Sequence, residues 1–332
     1  MQTPTSPTTS RTVVAAEGLT KRYATATAVD DLTFDVVAGD VVGLLGPNGA
    51  GKTTAMKMLA GLVRPTVGTA SVLGTPTTDR DFGHALRRVG VLIEAPALYG
   101  KLSARKNLEL HAASLGIAID DARLDELLTL VDLADRADHK TGGYSLGMKQ
   151  RLGIALAMVG RPELVILDEP ANGLDPAGIV EIRSLLRRLP EMGTTVLVSS
   201  HQLSEVQQAC DRLVILAGGR LVSQGRTEEI LDAYSSAEVT VRVDPSEIHA
   251  AATVLVEAAL PATATGTDRL TVTLPSGWSG RDLNHTLASR DIYAFELVPH
   301  TVTLEEAFLT MTTPGASSPE STNTDELVLQ GA

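Results

Sequence analysis

Cysteine is nearly absent: Cys210 is the only one in 332 residues. No disulfide can form within the chain, and a reducing cytoplasm is the expected compartment. Aromatic residues are scarce, at 3%. The interior must be built largely of Ala, Val, Leu and Ile, a mix that suits parallel sheets covered by helices better than aromatic-rich β-sandwiches. No apolar run approaches the roughly 20 residues needed to span a bilayer; stretches such as Leu152 to Val159 and Leu213 to Ala217 are far shorter. Positive charge is also in short supply. The 28 Lys and Arg stand against 40 Asp and Glu, a formal net charge of -12, which argues against a general nucleic-acid-binding face and leaves no nucleic-acid partner expected. No internal repeat is visible.

What remains is globular material, 43% hydrophobic and 20% charged, long enough for two domains. Apolar, β-rich runs alternate with helical patterns: Val41 to Leu45 precedes a helix from Lys52, Leu164 to Leu167 follows, and Val196 to Ser200 comes after a helix over Ala177 to Leu189. That alternation predicts an α/β sheet. Val13 to Val37 has the period-2 pattern of an antiparallel edge packed on that sheet. From Ala97 to Gly142 the pattern turns helical, with Leu127, Leu128, Val131 and Leu133 on one face, predicting a helical insert over about 95–160.

The expected organisation is a disordered leader over 1–12, a catalytic domain over 13–231, a C-terminal accessory domain over 232–312 and a disordered tail over 313–332. The leader is rich in Thr, Ser and Pro and lacks the order of a secretory signal. The accessory domain is read as a small α+β appendage, with strands at Glu238 to Val243 and Leu270 to Leu274 and helices at Ser246 to Ala259 and Arg281 to Arg290. The tail is Pro, Gly, Ser, Thr and acid without periodicity, too polar to offset its ordering entropy.

Gly46-Pro47-Asn48-Gly49-Ala50-Gly51-Lys52-Thr53, followed by Thr54, fits G-x-x-x-x-G-K-[ST] between a strand and a helix. In such a loop the glycines let backbone N–H groups turn inward around phosphate oxygens and the following helix adds its positive end. Lys52 is placed to reach the β/γ-phosphates and Thr53 to offer a hydroxyl to Mg²⁺. Kinases, GTPases, helicases and transport ATPases share this loop. A second feature narrows the choice: the continuous apolar run Leu164 to Leu167 ends in Asp168-Glu169, two carboxylates at the edge where α/β sheets bind ligands. Asp168 is expected to hold Mg²⁺ through its water shell, and Glu169 to orient or deprotonate the attacking water.

Tyr144-Ser145-Leu146-Gly147-Met148-Lys149-Gln150-Arg151, about twenty residues before Asp168, resembles the signature loop of ATP-binding-cassette ATPases. The usual form is LSGGQ; this copy keeps the Ser and the second Gly and carries Tyr, Leu and Met at the first, third and fifth positions. A hydroxyl and a bare backbone at a helix N-terminus make another anion cradle. The resemblance implies that Ser145, Gly147 and Met148 serve the γ-phosphate of ATP bound to an opposite subunit, so that two cassettes sandwich two nucleotides. Asn172-Gly173-Leu174-Asp175 resembles the D-loop, which places Asp175 at that dimer interface. His201 resembles the switch histidine that contacts the γ-phosphate, and Tyr23 the aromatic that stacks on adenine. Where the family normally has Gln after the apolar strand Val89 to Ile93, this chain has Glu94, which the resemblance places near Mg²⁺ and the water. A carboxylate there is repelled by a triphosphate unless a cation lies between.

The resemblance covers residues 13–231 and implies an α/β P-loop ATPase with a mixed-sheet core, antiparallel β edge and helical insert. It also implies ATP and Mg²⁺ as cofactors and a homodimer beneath separately encoded integral-membrane permease subunits, on the cytoplasmic face of the plasma membrane. The segments Leu92 to Tyr99 and Tyr144 to Met148 are similar to those of bacitracin-type and lantibiotic-immunity exporters. Leu304 to Leu309 resembles the end of the accessory domain of daunorubicin-type exporters. The implied role is export of an antibiotic or antimicrobial peptide. A non-transport cassette acting on ribosomes or DNA and a polysaccharide or lipid exporter are the alternatives; the first lacks its usual second cassette, coiled coils or zinc-binding cysteines here, and for the second Trp278 is the only strong sugar-stacking candidate.

Overall fold

The computed structural model describes residues 11–234, 238–275, 277–300 and 302–312. Two compact units meet in sequence between Thr227 and Glu228, four residues before the expected boundary. The reason is local: the Thr227 hydroxyl donates to the Cys210 carbonyl at 2.8 Å and its N–H to the Asp211 carbonyl at 3.0 Å, which ties Thr227 to the first unit.

The first unit begins with β1 (Thr12–Arg22), β2 (Thr27–Val37), β3 (Val41–Leu45), α1 (Lys52–Leu59), β4 (Val67–Val72) and β5 (Thr75–Pro76). It continues with α2 (Phe82–Leu86), β6 (Val89–Leu92), α3 (Ala104–Ser114), α4 (Asp121–Leu130), α5 (Leu146–Ala157) and β7 (Leu164–Leu167). The remaining elements are α6 (Pro176–Arg188), β8 (Thr195–Ser200), α7 (Leu203–Ala209), β9 (Arg212–Ala217), β10 (Arg220–Arg226) and, from the boundary onward, α8 (Thr227–Tyr234).

Six strands form the main sheet in the order β10-β9-β3-β8-β7-β6; all neighbours are parallel except the β9–β10 hairpin. Every residue of β3, β7 and β8 is buried, as continuous apolar runs in a doubly covered sheet should be. Val13 to Val37 forms the expected antiparallel layer packed on this sheet, without pairing to it. β1 and β2 pair with each other, and β1 also takes up β4, building a separate antiparallel sheet in the order β2-β1-β4-β5. Its inward residues, among them Val14, Leu19, Leu32 and Val36, share one core with Val42, Leu44, Met56, Ile166 and Leu197. Period-2 alternation marks one buried face but does not say which strands pair, and the partners β4 and β5 carry little apolar signal. β1 begins at Thr12, and Arg11 is ion-paired with Glu163 at 2.8 Å, so the expected leader reaches two residues too far; residues 1–10 and 313–332 lie outside the described residues.

Helices of the insert start where side chains can take up their free N–H groups. Ser103 accepts from Lys106 N, Asp120 from Arg123 N and Ser145 from Met148 N. At α6, Asp175 accepts from Gly178 N and Pro176 follows at the first helical position.

In the second unit β11 (Glu238–Arg242), α9 (Ile248–Glu257), β12 (Ala262–Ala264), β13 (Arg269–Thr273), α10 (Gly280–Ala288) and β14 (Glu296–Pro299) precede α11 (Leu304–Thr312). The order β12-β13-β11-β14 in a βαββαβ chain is the split βαβ, ferredoxin-like arrangement. Val239, Val241, Leu270 and Val272 alternate inward against Leu255, Leu283 and Leu287 of the helices. The expected α+β appendage thus gains two strands, β12 and β14, too short to announce themselves by periodicity.

Candidate functional site

Parallel register gathers four chain segments at one edge of the main sheet. Leu45 is level with Ser200 and Ile215, Leu167 with Val198, and Leu92 with Leu167. The residues that follow these strands, Gly46, His201, Asp168-Glu169 and Glu94, therefore leave from the carboxyl edge, where ligands bind in such sheets.

The 46–53 loop wraps between β3 and α1. A Cβ on Gly46 would stand 2.3 Å from the Leu216 carbonyl oxygen, and one on Gly51, at φ 99°, 2.5 Å from that of Ala28; neither position tolerates a side chain. Gly51 opens α1 in the left-handed region and no side chain caps the helix, which leaves its first N–H groups for a ligand. Pro47, Asn48 and Gly49 are exposed while Ala50 is buried. Ala28, residues 48–54 and Glu169 line an open cavity of about 240 Å³. Lys52, only 5% exposed, donates to the carbonyls of Gly46 at 2.7 Å and Pro47 at 3.3 Å and lies 3.2 Å from Glu169 Oε1. These acceptors compensate the buried ammonium.

Asp168 is buried and accepts two hydroxyl hydrogen bonds, from Thr53 at 2.8 Å and from Ser199 at 2.6 Å. The Ser199 oxygen in turn accepts the Glu169 N–H at 2.9 Å. Glu169 adopts φ 49°, a left-handed conformation uncommon for a residue with a side chain. Its carboxylate is shared: Oε1 faces Lys52, and Oε2 lies 2.7 Å from His201 Nδ1. The expected residues Lys52, Thr53, Asp168, Glu169 and His201 thus form one connected network. The oxygen pair of Thr53 and Asp168 suits a hard cation held by one carboxylate together with substrate phosphates; among the described residues no cluster of three His, Cys, Asp or Glu forms a self-sufficient metal cage.

Glu94 stands apart. Its carboxylate accepts from Lys57 Nζ at 2.7 Å, is 70% exposed and does not line the cavity. Glu94, expected beside the metal, is paired here with Lys57. The Lys57 hydrogen bond holds the Glu94 carboxyl below the usual carboxylate range and raises the Lys57 ammonium correspondingly. Tyr23 sits in the β1–β2 turn, half-exposed, with the Lys21 ammonium 5.2 Å from its ring centroid, and it does not line the cavity.

Ser145, Gly147 and Met148 lie at the start of α5, outside the cavity. A methyl on Gly173 would stand 3.2 Å from Leu146 Cδ2 and one on Gly147 3.8 Å from Leu174 Cδ2, so the 145–148 and 172–175 segments adjoin as one surface. Asp175 uses its side chain to cap α6 at 3.1 Å. Sequence reasoning missed Ser199 and Lys57. The available signal for Ser199 was a hydroxyl in a strand buried along its whole length, a group that must find a partner there.

Residues 29–172 match the ABC transporter family. The chain is 44% identical over 214 residues to the bacitracin transport ATP-binding protein BcrA of Bacillus licheniformis, covering 64% of this chain and 69% of that one. To YdbJ, an uncharacterized ABC transporter ATP-binding protein of Bacillus subtilis (strain 168), it is 36% identical over 305 residues, 91% of this chain and 96% of that one. Among solved structures it resembles the ATP-binding cassette MJ0796 in a dimeric post-hydrolysis state bound to ADP and Pi, with a TM-score of 0.58 and 27% identity over 64% of this chain and 98% of that one. The fold and the phosphate-loop network define an ATP-binding cassette. This chain belongs to the ABC transporter family, whose ATP-binding subunits work with membrane permeases.

Proposed function

We propose that the protein hydrolyses ATP as a homodimer and drives a separately encoded permease that exports an antibiotic or antimicrobial peptide. The observation that carries the catalytic part is the hydrogen-bonded chain from Thr53 through Asp168 and Ser199 to Glu169, Lys52 and His201. Lys52 exchanges its loop carbonyls and Glu169 for phosphate oxygens. Glu169, released from that cation and steered by His201, takes up the attacking water and its proton. Thr53 and Asp168 would hold Mg²⁺, which neutralises charge building on the phosphate oxygens. Tyr23 carries the base. The 145–148 and 172–175 surface completes the site of the facing copy, a reading supported by its position outside the chain's own cavity and by the dimeric, ADP-bound relative.

No helix among the described residues is long and apolar enough to cross a membrane. The permease therefore supplies the path, and the cassette works at its cytoplasmic face. A groove of about 850 Å³ lies between the edge strand β6 and the helical insert, reached by Arg87, Val91 and His111. The buried guanidinium of Arg123 lines it, and its Nε has no hydrogen-bond acceptor. We assign this groove to the permease. The drug-export reading rests on similarity to the bacitracin transport protein. Coexpression with a candidate permease from the same genome tests that reading: survival of peptide or anthracycline antibiotics should rise with the intact pair and not with Glu169→Gln. Survival unchanged by the pair removes the drug-export role.

A further inference from the structure

The Lys57–Glu94 pair occupies a position that stability alone does not explain. With Glu94 70% and Lys57 30% exposed, an ion pair in water adds little to folding. Its location is informative. Lys57 lies on α1, five residues beyond Lys52, and the same short helix supplies Thr53. Glu94 follows β6, whose Leu92 carbonyl accepts the Asp168 N–H at 2.8 Å. It is held at φ 67°, another left-handed conformation on a residue with a side chain. Besides Glu94, the charges acting on Lys57 include Asp168.

Asp168 and Glu169 stand at a loop built for phosphates together with Lys52, and Glu94, two residues past the Leu92 carbonyl that binds the Asp168 N–H, adds a third carboxylate in the neighbourhood, paired with Lys57. A triphosphate entering that field is opposed by each uncompensated carboxylate. Asp168 is occupied by two hydroxyl donors and Glu169 by Lys52 and His201. Among the described residues the partner of Glu94 is Lys57.

We propose that Lys57 is a positioning residue and built-in counter-ion: it neutralises the Glu94 carboxylate and holds it off the nucleotide's phosphates, so that an acid can stand at this position without weakening nucleotide binding. The inference rests on reading the 46–54 loop as an ATP site.

The test is equilibrium binding of a fluorescent ATP analogue to the full chain, in EDTA and in excess magnesium. K57M should weaken binding about five- to tenfold in EDTA, and less in magnesium or at high salt, where other cations take over the neutralisation. E94Q should bind at least as tightly as the natural chain. The double variant K57M/E94Q should return to within about twofold of it, as should K57R, which keeps the charge. A purely structural role for Lys57 would lower the melting temperature of K57M without this opposite-signed cancellation. Binding by K57M equal to the natural chain, or a double variant no better than K57M, overturns the proposal while leaving the ATP site standing. Absence of binding by the natural chain overturns both.

Discussion

His201 Nδ1 lies 2.7 Å from Glu169 Oε2, while the other oxygen of the same carboxylate faces Lys52 at 3.2 Å. One side chain thus connects the end of β8 to the phosphate loop. Glu169→Gln keeps the shape and removes the anion. Nucleotide binding should persist while turnover falls at least about 100-fold, and the variant should accumulate as a nucleotide-bound dimer in sedimentation experiments with ATP. A variant that hydrolyses at the normal rate excludes Glu169 as the water-activating group.

Loss of the imidazole should act through the same carboxylate. His201→Ala is expected to lower kcat by about two orders of magnitude with little change in nucleotide affinity. Steady-state kinetics beside a binding titration separates the two quantities, and an affinity loss that matches the rate loss contradicts the assignment.

Ser199 is the junction between the two acids, donating to Asp168 at 2.6 Å and accepting from Glu169 N–H at 2.9 Å. Ser199→Ala leaves a buried carboxylate oxygen and a backbone N–H each short of a partner, which should cost about 1–3 kcal/mol of unfolding free energy. Ser199→Thr retains the hydroxyl and should recover most of it. Denaturant titration of the two variants provides the comparison.

Arg87 is exposed on the wall of the large groove beside β6, away from the phosphate loop. Arg87→Glu should reduce copurification with the permease by about tenfold or more and leave the ATPase rate of the isolated chain unchanged. Undiminished copurification would direct attention to another face.

Much of this site could be read in the chain because its residues are consecutive. The loop 46–53 and the pair Asp168-Glu169 each declare their chemistry within a short window, and β3, β7 and β8 are apolar runs whose observed limits fall within a residue of those expected. Pairings across long separations were not legible. Ser199 meets Asp168 only because β7 and β8 align with Leu167 level with Val198. Lys57 meets Glu94 only because α1 and the end of β6 converge, 37 positions apart. β14 offers four residues with one half-buried leucine, Leu297, so no alternation flags it, yet it closes one side of the four-stranded sheet of the second unit.

Each unit owns a hydrophobic interior, one spread across β1 to β9 and the other confined to Val239 through Ile292. Genetic recombination at the Thr227–Glu228 junction would therefore disrupt neither nucleus of packing. A cut there falls at the first residue of α8 and leaves each set of packed side chains on its own piece of chain.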